Sequence, residues 1–304
     1  MAEEQAPGRG ESPNRWVSRQ IFVDPTPNAV VQSRISLKAA EVLQVGNWSE
    51  DERHAAFNFS RLIALKLVAV WHHVDRYRRR QDELREEALR QPNDKDGTGT
   101  VRFVTAQDLY IELDEFLVQV KSTLDYVAKA PVLVLGERGW MVGSFGEHGK
   151  KLVRTLKQNT PGSFRKSATV LVLIIEENAP WLESLIGARD KVNHYLGGGL
   201  DPDLFTVSGI KDGEKIDIHV PMWSTEQSVL DMMDNGFEAV FHFVERFLCS
   251  VLASRLPAHL GMLTGPNIPL YDRASPITIL PTSAFNAWAE KTGGGWRDVP
   301  TITR

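Results

Sequence analysis

The chain has 304 residues, enough for one large domain or two modest ones. Hydrophobic residues make up 42% and charged residues 24%, which excludes a disordered chain and fits a globular protein with a sizeable core. The formal net charge of -4 argues against a general, sequence-blind nucleic-acid coat, which carries excess positive charge, but leaves room for a local basic cleft.

Residues 1–30 are rich in Pro, Gly, Glu and Asn and read as a flexible N-terminal arm, with a short ordered piece at Trp16 to Val23. Residues 31–47 carry two patterns. VVQSRISL alternates like a strand, and LKAAEVLQ suits a helix. The first strong helix begins near Ser49, a cap residue followed by Asp51 and Glu52, whose charges favour the helix dipole. Phe57, Leu62, Leu65, Val68, Trp71 and Val74 recur at helical spacing. Beyond Tyr77 the segment is almost wholly polar. It either leaves the core there or packs on something outside this chain. QPNDKDGTGT marks a loop.

A second helix is predicted from about Thr105, its cap, to Ala130, with Asp108 in its first turn. Pro131, Gly136 and Gly139 weaken its continuation. Short helices follow within 146–158 and 162–176. Pro180 then opens a separate helix that runs to about Leu196, where GGGLDP stops it. FTVSGIKDGEKIDIHVP gives two alternating arms around Asp212-Gly213, a hairpin at about 203–220. The last strong helix spans about Glu226 to Ser254, with Gly236 as a mild weak point. The fold class is therefore mainly α: a helical bundle over 31–256 with a small β-hairpin inserted between the last two long helices. Residues 257–304 form an irregular C-terminal tail that packs on the bundle, wrapping it or adding a short strand at Ile277 to Leu280.

One segment suggests chemistry. PWLESLIGARDKVNHYLGGG holds Arg189, Asp190, Asn193 and His194. Arg189 and Asn193 are four apart and share a helix face, while His194 lies about 140° around from Arg189. Arginine stabilises charge on a phosphate undergoing transfer, and histidine exchanges a proton near neutral pH. Asparagine or aspartate can orient either group. An RNA 2′-hydroxyl can attack its own phosphodiester without a metal when side chains supply both functions. A bland reading stands beside this one. Arg189 would pair with Glu183, Asp190 or another acid, and His194 would sit at a helix C-terminus that favours positive charge.

RDKVNHY resembles the Arg-x4-6-His motif of the HEPN superfamily of helical bundles. The resemblance implies a metal-independent endoribonuclease of the toxin–antitoxin and defence type, without a cofactor. It implies a homodimer that places two motifs across a shared cleft, an RNA substrate and a neutralising protein partner. Arg189, Asp190 and His194 would be the catalytic residues, with Asn193 beside them. Asp190 stands where asparagine is frequent, so its role differs in detail. EFLVQVKSTLDYVAKA resembles an earlier helix of such proteins, with Lys121, Ser122 and Asp125 as substrate-binding residues and Glu112 and Asp114 as weaker candidates. The alternative is a non-enzymatic interaction or dimerisation module of the same fold.

Other patterns carry less. His72, His73 and Asp75 sit on the first long helix, and His242 and Glu245 form an H-x-x-E pair on the last. No paired Glu-x-x-His set accompanies them, so no metal site is expected. DRYRRRQDELR, around Arg76, Arg78, Arg79 and Arg80, is the most basic run and is diluted by acids. Trp140 and Trp181 suit a pocket wall or simple packing, and Cys249 suits the core. A single cysteine excludes an intrachain disulfide and a cysteine metal cluster. The N-terminal MAEEQAPGRGESPNRW lacks the apolar run of a signal peptide, and the longest apolar run, Ala168 to Ile175, is too short to span a membrane. A cytoplasmic protein is the expectation.

Overall fold

A computed structural model describes residues 24–90, 101–194, 206–212, 215–264 and 277–281. The chain between 31 and 47 resolves as helix: a π-helical stretch at Gln32–Leu37 runs into α1 (Lys38–Val45). Then come α2 (Glu50–Arg90), β1 (Val101–Thr105), α3 (Gln107–Val127), the single turn α4 (Val132–Leu135) and α5 (Lys150–Gln158). The order continues with α6 (Arg165–His194), β2 (Thr206–Asp212), β3 (Lys215–His219), α7 (Val229–Ala253), β4 (Leu260–Thr264) and β5 (Ile277–Pro281). The protein is a mainly α bundle with a small hairpin, β2–β3, inserted between its last two long helices, α6 and α7.

The start of α2 is fixed by a reciprocal cap. The Ser49 N–H donates to Glu52 Oε2 at 2.9 Å, and the Glu52 N–H donates to Ser49 Oγ at 3.3 Å. The helix then runs 41 residues, about 60 Å. Ten of its buried residues, Ala56, Ser60, Ile63, Leu67, Val70, Val74, Tyr77, Gln81, Leu84 and Ala88, alternate at spacings of four and three, a seam of period 3.5 with Ala64 buried beside it. α3 lies antiparallel along that seam, with Arg80 bonded to Asp108, His73 to Glu112 and Lys66 to Ser122. The polar end of α2 therefore does not leave the core. Leu84 and Ala88 are buried there, and the sheet packs on α2.

α7 is apolar nearly all round and occupies the middle, against α1, α2, α3 and α6. Phe243 stacks edge-on against Phe145 and Trp181, and Phe237, Phe241 and Phe247 are buried beside it. Ser228 caps α7 by accepting the Asp231 N–H at 3.0 Å.

Three sequence expectations are corrected. Residues 165–194 form one helix, not two, although Pro180 lies inside it. Pro180 is solvent-exposed, while Leu171, Ile174, Leu182, Leu185 and Ile186 bury a continuous face on both sides of it, which outweighs one missing hydrogen bond. Thr105 does not cap α3. It ends β1, which pairs antiparallel with β2 and makes the hairpin part of a three-stranded sheet. A five-residue strand leaning on a non-local hairpin has too little periodicity of its own to be read from sequence. α7 starts at Val229 rather than near Glu226. Arg76, Arg78, Arg79 and Arg80 are each ion-paired, to Glu112, Asp234, Asp75 and both Glu83 and Asp108, so the most basic run is largely neutralised.

The β2 and β3 ladder closes at Asp212 opposite Lys215, as a two-residue turn requires, and Gly213 lies outside the described residues. Residues 1–23 lie outside them too. The next residues are packed: Asp24 and Thr26 are buried, and Asp24 carboxylate oxygens accept the N–H groups of Thr26 and Gln32. In the tail, β4 pairs antiparallel with β5, so Ile277 to Leu280 is indeed in a strand. Among the described residues no helix is long and apolar enough to cross a membrane.

A buried ion pair ties the N-terminal helical segment to α7. Arg34 Nε and Nη2 donate to the two Glu245 oxygens at 2.9 and 2.5 Å, and the guanidinium lies 4.4 Å from the Phe241 ring centroid. Both residues are almost fully buried, and burial raises the Glu245 pKa against the pull of Arg34. Arg34→Ala should cost about 3–5 kcal/mol in urea unfolding by stranding a buried carboxylate, and Arg34→Met with Glu245→Leu should recover most of it. Equal losses in the single and double variants would contradict the assignment. His242, about half exposed, touches the same guanidinium at 3.1 Å, and partial desolvation with the Arg34 and Arg246 charges lowers its pKa from 6.5. A depressed histidine gives stability that is present above its unfolded pKa and lost as pH falls through the folded value. The urea midpoint should therefore drop from about pH 7 to about pH 5, and drop less in His242→Gln. An identical drop in the variant would exclude His242 as a cause.

Candidate functional site

The Arg189 segment sits at the end of α6, where α6, α3 and α7 meet. The meeting is tight because α7 has no side chain there. A Cβ on Gly236 would stand 3.1 Å from Phe116 Cζ of α3 and 3.3 Å from Leu185 Cδ1 of α6. One turn beyond Leu185, Arg189 is half-buried, with Leu185, Ile186 and Ala188 buried beside it. Its charge acts on Asp114 of α3. Burial raises the Asp114 pKa first, Glu115 adds to the rise, and Arg189 opposes both. Asp114 Oδ1 is buried and accepts no hydrogen bond. The junction thus joins a cation held by packing to a carboxyl that is short of donors.

Of the four residues singled out on this helix, Arg189 alone has a described side chain. Asp190, Asn193 and His194 continue the same helix, and their side chains lie outside the described residues. His194 is the last helical residue, five beyond Arg189 and about 7.5 Å farther along the axis.

Lys121, Ser122 and Asp125 are not gathered with Arg189. Lys121 Nζ pairs with Asp125 Oδ1 at 2.6 Å, and the same oxygen accepts the Phe145 N–H at 2.7 Å. Ser122 accepts from Lys66 of α2 at 2.7 Å. These contacts hold α3 to α2 and to the loop before α5. Lys121 is seven residues past Asp114, about 10 Å along α3, and Asp125 is farther still. Of the weaker candidates, Asp114 is the α3 acid that faces Arg189.

Glu112 faces the other way. Its carboxylate is buried and takes His73 Nδ1 at 2.7 Å on one oxygen and Arg76 Nη2 at 2.9 Å on the other. This places a proton on His73 Nδ1 and turns Nε2 away from the acid, the arrangement by which a carboxylate orients a histidine. The sequence shows His73 next to His72 but not its partner on another helix.

The remaining patterns are structural. Trp140 is buried and donates from Nε1 to the Ala128 carbonyl at 2.9 Å, and Trp181 packs on Phe243 and donates to Asn178 at 2.6 Å. Cys249 is buried and its thiol pKa is pushed up by burial, the opposite of what a nucleophile needs. Glu245 of the H-x-x-E pair is taken by Arg34. Among the described residues no group of three or more His, Cys, Asp or Glu is placed to hold a metal ion.

The raised Asp114 pKa has a testable sign. A carboxyl raised above its ordinary value of 3.8 contributes stability that is present at lower pH and lost as pH rises through the folded value. Asp114→Asn should therefore gain stability relative to the parent as pH climbs from about 4 to about 7 in urea unfolding. A difference that does not change with pH would contradict the burial argument. No protein-family model, curated protein or solved structure matches the chain, so its functional reading rests on its own residues.

Proposed function

We propose that the chain is a HEPN-like, metal-independent endoribonuclease. The observation that supports this reading is Arg189: a half-buried residue near the end of α6, five residues before His194 and acting on Asp114, a half-buried acid of α3. A rigidly mounted cation costs little reorganisation when charge develops on a phosphate, which is the main requirement of phosphoryl transfer.

In this reading an RNA 2′-hydroxyl attacks the adjacent phosphorus. The new P–O2′ bond forms as the P–O5′ bond breaks, leaving a 2′,3′-cyclic phosphate and a 5′-hydroxyl. Arg189 balances the charge that builds on the non-bridging oxygens. His194 moves the proton, from the attacking hydroxyl or to the leaving oxygen, and a second copy of the chain would supply the complementary role across a homodimer cleft. Asp190 and Asn193 orient the pair. Asp114 holds Arg189 in place between turnovers. A cytoplasmic location and a neutralising protein partner belong to the same proposal.

Purified protein should cleave RNA in the presence of chelator and leave cyclic-phosphate ends. Arg189→Ala and His194→Ala should each slow cleavage by roughly 10²–10³-fold while keeping the parental circular dichroism spectrum. Full activity in both variants removes the assignment. No turnover by the parent under any condition favours the alternative, a non-enzymatic interaction module of the same fold.

A further inference from the structure

From His148 to Ile175 the chain has six Lys and Arg residues and no Asp or Glu, in a protein whose net charge is -4. The cations are Lys150, Lys151, Arg154 and Lys157 on α5 and Arg165 and Lys166 at the start of α6. All six are exposed. Leu152 and Leu156 anchor the opposite side of α5 in the core, so the basic side is held outward by packing. Two of the cations reach α6 acids through exposed pairs, Lys157 to Glu176 at 2.8 Å and Lys150 to Glu183 at 3.6 Å. Such pairs hold little energy and exchange readily for a phosphate. Lys151, Arg165 and Lys166 have no carboxylate within ion-pair distance among the described residues.

We infer that the α5 face, with the start of α6, is a docking track for the phosphate backbone of single-stranded RNA. Several cations along one short surface release counterions when they meet a polyanion, a gain that a single small anion does not give. A bilayer surface suits this helix less well. Interfacial helices bury an apolar face in lipid, and the apolar face of α5 is already buried in protein. The track also ends near the proposed active segment: Lys150 meets Glu183, and Arg189 follows six residues later, about 9 Å along α6 and about 120° around it. The inference rests on the ribonuclease reading only for choosing RNA among polyanions.

The test compares two charge-matched triple variants by fluorescence anisotropy with a labelled single-stranded RNA over a range of salt. Lys151→Glu/Arg165→Glu/Lys166→Glu should weaken binding at least tenfold. It should also flatten the log–log salt slope by about 2, at about 0.7 for each phosphate that is no longer neutralised. Arg79→Glu/Arg85→Glu/Arg90→Glu, on the exposed side of α2, should bind like the parent. Equal losses in both triples would reduce the effect to net charge and overturn the track. So would parental binding by the first triple, or no RNA binding by the parent. Sedimentation of the parent, but not the first triple, with phosphatidylserine vesicles in place of RNA binding would assign the surface to membrane and overturn it. Cleavage by the parent, assayed beside binding, separates the two readings. RNA binding through the track without cleavage by the parent keeps this inference and removes the ribonuclease. Cleavage by the parent with full binding by the first triple does the reverse.

Discussion

The close approach at Gly236 sets the geometry on which the candidate site depends. A glycine inside a helix costs about 1 kcal/mol relative to alanine, and α7 tolerates it because the space is used. Phe116 of α3 and Leu185 of α6 fill the volume that a Cβ would take, at 3.1 and 3.3 Å from where it would stand. Those two side chains fix the spacing of α3 and α6. Asp114 lies two residues before Phe116, and Arg189 lies one turn after Leu185, so the same contact sets the charge–charge approach. Interiors packed this tightly transmit small shifts rather than absorbing them.

Charge is organised with equal economy. Several cations of the bundle interior and of α2 are matched by acids on other elements: Arg34 to Glu245, Arg76 to Glu112, Arg78 to Asp234. These pairs join elements far apart in sequence, whereas Lys151, Arg165 and Lys166 have no carboxylate within ion-pair distance among the described residues. A chain of modest negative charge thus presents a positive face beside α6, the helix that carries Arg189 and His194. Local field, not net charge, decides what such a surface attracts.

Much of the fold is legible in the sequence because most helices declare themselves by period and cap. Ser49 caps the start of α2 ahead of Asp51 and Glu52, and α3 and α7 lie close to where helices are predicted from about Thr105 and about Glu226. The failures share a cause: a non-local contact outweighs a local signal. Pro180 reads as a helix start, but packing on both sides carries α6 through it. VRFVT is rich in strand formers, but five residues between a loop and a helix are too few to assign until β2 lies beside them. The site is legible in part. Arg189 is visible as a residue, whereas its facing acid, Asp114, reads as a weaker candidate than Lys121, Ser122 and Asp125, which the fold commits to structural contacts. The α5 track has no sequence signature because its cations are interleaved with apolar residues and split by Pro161-Gly162, so no basic run appears.

The central claim is that this junction supports attack by an RNA 2′-hydroxyl with Arg189 as the anion-stabilising group. It is tested most directly with an RNA whose scissile nucleotide, mapped beforehand on the all-ribose strand, carries a single 2′-deoxy substitution. The account predicts that cleavage at that position disappears while binding is undiminished. Cleavage at the deoxy position, or none in the all-ribose strand, would contradict it.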